Sequence, residues 1–293
     1  MGTLRFALGE STKNISIQVV NDVYMEGGSE VFSIALSNAV GAELGSPNTA
    51  TITINDADNG TESNPIESDA FFIRQLYIDF LGREPEPGAV NNWLAILNHC
   101  STPTDCDRNA VAMGFVRSAE FRDRGYFVYR FFSASLGRIT TYGEFIPDMA
   151  KVSGFLSDSD LEVNKEAYTG EFMNRQEFKS LYDSTLNNPT AFLDKLLATA
   201  GLANHPRRAE WIAGLTNNTL TRNQVLRQFV ESAEVMTKYY DEAFIVMNYF
   251  GFLRRNPDAA YLTWIEIFNR TKDDKVIING FLGSAEYRFR FGR

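Results

Sequence analysis

One thirteen-residue phrase recurs along this chain and limits the folds that the chain can adopt. Residues 71–83 read FFIRQLYIDFLGR, and residues 126–138 read YFVYRFFSASLGR at a spacing of 55. Further copies begin at residues 191 and 243, so neighbouring copies lie 52–65 residues apart. Repetition at this spacing indicates related structural units, each with an apolar face that its neighbours must cover.

The pattern inside each copy predicts helices. In residues 71–81 the apolar side chains fall on one face of a 3.6-residue period, and Gly82 then provides a stop. A second apolar helix and a third-helix phrase such as GFVRSAEFRDR follow. We therefore expect an all-α helical repeat domain over residues 70–293. Its four related units are placed at about 70–125, 126–182, 190–241 and 242–292.

The first 58 residues follow a different pattern, in which apolar and polar residues alternate. Four such segments are rich in β-branched residues and are bounded by turn-forming residues; they cover residues 3–8, 14–20, 30–37 and 49–56. Alternation is typical of antiparallel strands with one buried face. The polar stretch 59–69 is typical of a linker. The predicted fold class is α+β multidomain, with a β domain at residues 1–58.

The net charge of −9 is concentrated at the N-terminal end. Residues 1–69 hold two basic and ten acidic residues, whereas the remainder holds 26 and 27. Such a surface disfavours nucleic acid, which needs a basic face, and leaves divalent cations as candidate partners or solubility as its only role. No apolar run reaches the ~18 residues needed to span a bilayer. We expect no transmembrane segment here and no signal peptide in the opening residues.

Acidic side chains cluster in the loops of the β region. Asp22, Glu26 and Glu30 lie between the second and third predicted strands, while Asp56 and Asp58 follow the fourth. If the strands pair in order, these two loops converge at one end of the sheet. Clustered loop carboxylates suit Ca²⁺, which takes six to eight oxygen ligands in a flexible geometry.

Residues 1–58 resemble the C-terminal half of a Calx-β domain. The matching features are the apolar-Gly-Glu turn, the Asn-Asp…Glu-Gly…Glu-x-Phe loop and the closing Ile-Asn-Asp-x-Asp. The resemblance implies a partial antiparallel immunoglobulin-like β-sandwich. It also implies Ca²⁺ as a cofactor, held by Asp22, Glu26, Glu30, Asp56 and Asp58. The first half of the family's domain is missing, so we expect an uncovered apolar face and open edges, as in a fragment of a longer protein.

The helical region resembles the bacterial family called domain of unknown function 4214 over residues 70–292. The match rests on FFIRQLYIDFLGREPEP, YFVYRFFSASLGR and RQFVESAEVMTKYYDEAFIVMNYFGFLRRNPD, and on the closing GFLGSAEYRFRFG. The family occurs in secreted and surface-attached proteins, and its helices look remotely like those of phycobilisome linkers. The resemblance implies an extracellular or cell-surface location in a bacterium, and no established reaction.

The two cysteines and two histidines offer little catalytic chemistry. Cys100 and Cys106 are separated by five residues and can close a disulfide loop worth roughly 2–3 kcal/mol. Extracellular relatives favour the same pairing, whereas a metal site would need four ligands. His99 and His205 are expected in solvated loops, where a Ser-His-Asp or Cys-His nucleophile is hard to build. We therefore expect no enzymatic activity.

Arginine recurs at equivalent helix ends, at Arg83, Arg138 and Arg255, and Glu120 and Glu286 recur in the Ser-Ala-Glu phrases. An array of planar guanidinium groups would hold an anionic glycan or phosphate. The alternative is that these arginines pair with the recurring Glu or cap helix ends.

Aromatic residues carry the remaining candidates. The tryptophans, expected in the core at equivalent second-helix positions, are Trp93, Trp211 and Trp264. The candidate exposed aromatics are Tyr142, Tyr239 and Tyr240.

The sequence favours a non-catalytic extracellular or cell-surface module for adhesion, surface-layer or scaffold interaction, whose helical part contacts a glycan or a surface protein. The alternative is an accessory domain of a secreted carbohydrate-active or other hydrolytic enzyme. A pocket lined by two carboxylates ~5–10 Å apart would favour that alternative.

Overall fold

The computed structural model describes most of the helical region and parts of the N-terminal region. The described residues are 4, 6, 9–15, 17, 19, 22–24, 29–55, 63–98, 107–153 and 157–292. Their architecture is a small antiparallel sheet followed by a helical body, which confirms the predicted combination of a partial β region with a helical domain.

The sheet is a hairpin of two strands, β1 (Ser29–Ala35) and β2 (Thr49–Asn55). The pairing is antiparallel, with Phe32 opposite Ile52, and the alternating pattern places their side chains on one face. That face is only half-buried, while alternate residues are exposed. Two of the four predicted strands are therefore confirmed nearly to the residue.

The predicted strands at 3–8 and 14–20 fall partly outside the described residues. Those of their residues that are described are not in strands, and Leu4, Phe6 and Ile17 expose 37%, 55% and 43% of their surface. A strand needs a neighbour to satisfy its backbone groups, and among the described residues only β1 and β2 pair with each other. The expected uncovered apolar surface is thus present.

Residues 23, 24 and 64 form hydrogen bonds with the last described residues of the chain, 289–292. The Val23 backbone N–H donates to the Phe291 carbonyl at 3.0 Å, and the Tyr24 hydroxyl donates to the Phe289 carbonyl at 2.6 Å. The buried Asn64 donates to the Gly292 carbonyl at 2.8 Å. These bonds fix the N-terminal region against the last helix.

Fifteen α-helices form the described helical body, several of them prolonged by π-helical turns. They are α1 (Asp69–Leu76), α2 (Ala89–Asn98), α3 (Arg108–Val116), α4 (Ala119–Phe121), α5 (Phe127–Phe131), α6 (Tyr142–Lys151), α7 (Asp158–Met173), α8 (Gln176–Tyr182), α9 (Pro189–Thr199), α10 (Arg208–Thr216), α11 (Arg222–Val230), α12 (Ala233–Asn248), α13 (Tyr261–Thr271), α14 (Asp274–Leu282) and α15 (Ala285–Phe289). Across the described part of the chain, no helix is both long and apolar enough for a membrane span.

The recurring phrases mark where these helices begin and end. Ser118 and Ser284 of the Ser-Ala-Glu phrases accept hydrogen bonds from backbone N–H groups three residues later, which makes them N-caps of α4 and α15. At the other end, a π-helical turn (Tyr77–Leu81) prolongs α1, and Gly82 closes it in the left-handed conformation at φ 62°. The predicted glycine stop is confirmed.

Contacts between the predicted units run mainly within two pairs and do not simply follow the order of the units along the chain. Helix α3 of the first unit packs against α14 of the fourth, and α7 of the second packs against α11 of the third. Helices α5 and α12 join the two pairs. The predicted boundary at 241/242 lies inside α12, so the third and fourth predicted units would share a continuous helix.

A buried carboxylate links the first unit to the fourth. The side chain of Asp79 is fully buried and accepts from Gln75 Nε2 at 2.8 Å, Arg254 Nε at 2.9 Å and Arg290 Nη1 at 2.9 Å. Arg254 adopts φ 50° at the position where the first unit has Gly82. A non-glycine residue is strained there, and the ion pair with Asp79 offsets that cost.

The same junction depends on close packing around Gly251. A Cβ atom at this position would overlap the Phe80 ring, which lies 5.0 Å from the Phe252 ring and is fully buried. Because Phe80 cannot move aside, we expect Gly251→Ala to lower the free energy of unfolding by about 1–3 kcal/mol. Urea unfolding followed by circular dichroism measures this change.

The matched control is Gly143→Ala in α6, where an added Cβ meets nothing within 4 Å. That substitution should leave stability unchanged or slightly raised. Equal effects of the two substitutions would contradict close packing between the first and fourth units.

Candidate functional site

The recurring arginines lie beside the recurring glutamates. Arg83 donates from Nε and Nη2 to the two carboxylate oxygens of Glu120 at 2.9 and 2.8 Å. Its guanidinium also lies over the Tyr77 ring, 5.1 Å from the centroid. Planar bidentate geometry and aromatic stacking are the properties that distinguish Arg from Lys.

The second and fourth units repeat this arrangement. Arg138 donates to both oxygens of Glu177 at 2.7 and 2.6 Å and lies 5.1 Å from the Phe132 centroid. Arg255 bonds both oxygens of Glu286, at 2.9 Å for its Nη2, and lies over the Tyr249 ring. We call these three interactions the Arg–Glu pairs. They tie the end of one helix to the start of another 31–39 residues further along the chain.

The third unit uses histidine in place of arginine. His205 is 4% exposed, and its Nε2 lies 3.2 Å from Glu234 Oε2 and 3.2 Å from Ser232 Oγ. Nδ1 accepts the Arg207 backbone N–H, which assigns the ring proton to Nε2. Burial lowers the pKa of His205. The expectation of a solvated His205 is wrong, because its apolar ring packs on Trp211; His99 lies outside the described residues.

The Arg–Glu pairs change the titration of their carboxyl groups. Arg138 also donates to both oxygens of Glu144, from Nη1 at 3.0 Å and from Nη2 at 2.7 Å. These hydrogen bonds lower the pKa of Glu144 to about 2, and Thr141, the N-cap of α6, contributes to the same shift. Arg138 also lowers the pKa of Glu177, and Arg255 lowers that of Glu286. The guanidinium groups of Arg83, Arg138 and Arg255 are thus engaged inside the protein.

The predicted calcium ligands are only partly described. Asp22 Oδ1 accepts the Tyr24 backbone N–H at 2.9 Å, and Glu30 lies exposed on β1 opposite Ile54. Glu26, Asp56 and Asp58 lie outside the described residues, as do both cysteines of the predicted Cys100–Cys106 disulfide. Within the described ranges, no group of three or more His, Cys, Asp or Glu side chains gathers to hold a metal.

A cavity of about 260 Å³ opens where parts of all four predicted units meet. Its walls come from the end of α3, the helical segment 122–130 and α12, and the lining side chains are Val116, Arg117, Arg122, Tyr126, Arg130, Met236, Tyr239, Tyr240 and Ala243. The cavity brings together two of the three candidate exposed tyrosines; Tyr142 instead packs against Phe250. We call it the Arg–Tyr pocket.

Aromatic rings and arginine side chains dominate the walls of the Arg–Tyr pocket. The rings of Tyr126 and Tyr240 are nearly parallel, at an interplanar angle of 9° and a centroid distance of 6.2 Å. Tyr240 is 37% exposed, whereas Tyr239 is half-buried and its hydroxyl group donates to the Ala200 carbonyl at 3.2 Å. Partial burial raises the pKa of Tyr239 to about 12. Sequence reasoning missed the three arginines, although Arg130 interrupts the apolar face of the second copy of the phrase.

The tryptophans divide between core and core edge. Trp211 is fully buried, whereas Trp93 and Trp264 are half-buried and pack against the core. Trp93 lies on Gly114, where a Cβ would be 2.7 Å from its ring, and Trp264 lies on Gly280 in the same way. Their equivalent positions therefore serve packing, as expected.

Acid should reduce the stability that the interaction between Arg138 and Glu144 contributes to the fold. The pKa of Glu144 falls from an ordinary 4.5 to about 2 on folding, so its contribution to stability is complete above pH 4.5 and is lost as the pH falls towards 2. Glu144→Gln removes this contribution. We expect its urea midpoint to depend less steeply on pH between about 5 and 2 than that of the wild type.

The exposed loop residue Glu43 provides the control, and Glu43→Gln should keep the wild-type slope. Identical slopes for wild type and Glu144→Gln would show that the pairing with Arg138 does not contribute to stability.

Comparison with protein-family models gives two matches. Residues 1–58 match the Calx-beta domain, and residues 60–124, which span the first helical unit, match the domain of unknown function DUF4214. Calx-beta is an extracellular-type domain associated with calcium binding, and neither match is a catalytic family. Comparisons with curated proteins and with solved structures gave no match. The chain therefore carries a Calx-beta region followed by a DUF4214 region, in the order that its sequence indicates.

Proposed function

We propose that this chain is a non-catalytic interaction module of an extracellular or cell-surface bacterial protein. Its helical domain of four units, about 70–125, 126–182, 190–241 and 242–292, provides the contact surface for a glycan or a surface protein. The role is adhesion, surface-layer attachment or scaffolding. The Calx-beta match supports the compartment, and the Arg–Tyr pocket supports the binding function.

The observation that carries this proposal is the composition of the Arg–Tyr pocket. Its lining contains tyrosine and arginine, the side chains that are enriched at binding hot spots. Tyrosine offers a rigid, amphipathic face at a low cost in side-chain entropy. No carboxylate, histidine, serine or cysteine is among the described lining residues, so nothing there favours the alternative of a carboxylate-based hydrolase.

The Arg–Glu pairs support a scaffold role for the repeat itself. The N–H groups that would bind an anion already donate to a carboxylate of the protein. This holds for Arg83, Arg138 and Arg255. We assign them to unit architecture rather than to a ligand. With these arginines engaged inside the protein, we propose that the binding surface lies at a junction between units, apart from the repeated elements.

Calcium binding by the β region forms a second part of the proposal. The matched family is associated with Ca²⁺, and the Asp22 carboxylate accepts the Tyr24 backbone N–H. The ligands proposed are Asp22, Glu26, Glu30, Asp56 and Asp58. Oxygen ligands on loops are the chemistry that Ca²⁺ requires.

The binding proposal is tested with a glycan array, screened in the presence and absence of Ca²⁺. We expect a subset of glycans to bind the wild-type chain and Tyr240→Ala to bind them at least about tenfold more weakly, because stacking area is lost. Leu262→Ala, which truncates a 56% exposed side chain on α13, is the control and should bind normally. Binding that is insensitive to Tyr240→Ala would move the contact surface away from the Arg–Tyr pocket.

The calcium proposal is tested by titration calorimetry and thermal unfolding. Ca²⁺ should release or absorb heat and should raise the melting temperature, since at 100 times Kd a ligand stabilises the folded state by about 2.7 kcal/mol. Glu30→Gln should weaken both effects, and Mg²⁺ should replace Ca²⁺ poorly. A titration without heat and without a shift in melting would refute calcium binding by this chain.

A further inference from the structure

Arg130 is a buried cation on a helix that is otherwise apolar. It lies on α5 between Tyr129 and Phe131, both fully buried, and is itself only 7% exposed. The equivalent positions in the first and fourth copies of the phrase hold Gln75 and Met247. A charge at this position is therefore not a requirement of the repeat.

The hydrogen bonding of Arg130 is incomplete. Its Nε donates to the carbonyl of Val230, the last residue of α11, at 2.7 Å. Within the described part of the chain, the two terminal nitrogens make no hydrogen bond and the guanidinium forms no ion pair. Burial lowers the pKa of Arg130 to about 10, so the group remains charged at neutral pH. An unpaired buried charge is costly unless something binds it.

The acidic groups nearest to Arg130 are committed to other partners. Glu231 binds Arg227 and, at 3.0 Å, Lys165. Asp123 lies 3.6 Å from Arg122. Both carboxylates favour the charged form of Arg130, while Arg122 opposes it. Among the described residues, Arg130 therefore has no counter-ion of its own, and it lines a cavity that also contains the guanidinium groups of Arg117 and Arg122.

The remaining walls add charge and a flat aromatic surface. Arg117 lines the pocket while paired with Asp274. The Tyr240 ring is accessible at the pocket and is backed by the parallel Tyr126 ring. A cavity of about 260 Å³ is smaller than the 300–1,000 Å³ typical of drug-sized ligands, so it suits one sugar residue rather than a chain.

Capping of α11 is a simpler explanation for Arg130, and it accounts for only part of the side chain. The Val230 carbonyl is one of the unpaired acceptors at a helix C-terminus, and a cation there is favourable. That role uses Nε alone. The terminal nitrogens, which can bind a carboxylate or sulfate, keep no partner among the described residues, and Arg130 is one of the side chains that line the pocket.

We propose that the Arg–Tyr pocket binds an acidic sugar residue, whose carboxylate or sulfate group pairs with the terminal nitrogens of Arg130 and whose ring lies on Tyr240. This inference rests on the proposed binding function and adds the charge class of the ligand. Arg117 and Arg122 raise the local concentration of the anion, and Arg130 determines that the sugar must be charged.

The test uses the full chain with sodium glucuronate and glucose as probes, which share a ring and differ in charge, and with sodium sulfate as the free anion. Titration calorimetry or NMR line shifts should show glucuronate binding at least about tenfold more tightly than glucose, because the hydrogen bonds are made to a charged group. Sulfate should compete with glucuronate.

Two pairs of variants locate the interaction. Arg130→Met should abolish glucuronate binding and keep or raise the melting temperature, since an uncompensated buried charge is removed. Arg83→Gln, which breaks an Arg–Glu pair, should instead lower the melting temperature and keep binding. Met236→Glu introduces a carboxylate at a 40% exposed position of the pocket and should block the anion, whereas Met236→Gln should not.

The possible outcomes separate the two proposals. Loss of glucuronate binding in Arg130→Met and Met236→Glu, but not in the two controls, supports the acidic ligand. Equal binding of glucuronate and glucose, or glucuronate binding unchanged in Met236→Glu, overturns it even if Arg130→Met fails to fold. If array glycans bind in a Tyr240-dependent manner and are all neutral, the acidic ligand is excluded while the binding function stands.

Discussion

The Arg–Glu pairs are the interaction on which the geometry of the helical domain depends. Each pair joins the end of a unit's first helix to the start of the helix that follows its third, with the guanidinium held against an aromatic ring. A bidentate pair fixes the angle between two helices as well as their separation, because both groups are planar. In the third unit, the neutral His205 faces Glu234 through Nε2, so the equivalent contact there uses a histidine in place of the guanidinium.

Much of this architecture can be predicted from the sequence, because local patterns specify it. The helical period, Gly82 and the Ser-Ala-Glu phrases determine where helices begin and end, and the spacing of the phrase gives four units. Two explanations for Arg83 remained open, since a one-dimensional pattern does not reveal which carboxylate a cation meets. The pairing of units, the buried state of His205 and the position of Arg130 depend on contacts between distant segments, and no local signal encodes those contacts.

In the β region, hydrophobic alternation alone does not determine which segments form strands. Alternation assigns Phe32 and Ile52 to one face of a hairpin, and the structure places them opposite each other. The same alternation in residues 3–8 and 14–20 does not produce strands among the residues described, because a strand also requires an edge to pair with. Hydrophobic pattern thus predicts which side of a strand is buried, while the availability of a neighbour determines whether the strand forms.

The strained Arg254 has a consequence for how many ligands one molecule can hold. Because Arg254 and Arg290, late in the helical body, neutralise Asp79 in its first part, the described helical body closes on itself. An additional unit would leave Asp79 buried without its partners, so this body cannot lengthen as an open solenoid does. A pocket whose lining comes from all four predicted units is likewise not multiplied by repetition. Under the proposed binding function, high avidity for a surface would require many copies of the chain, because each copy provides one Arg–Tyr pocket.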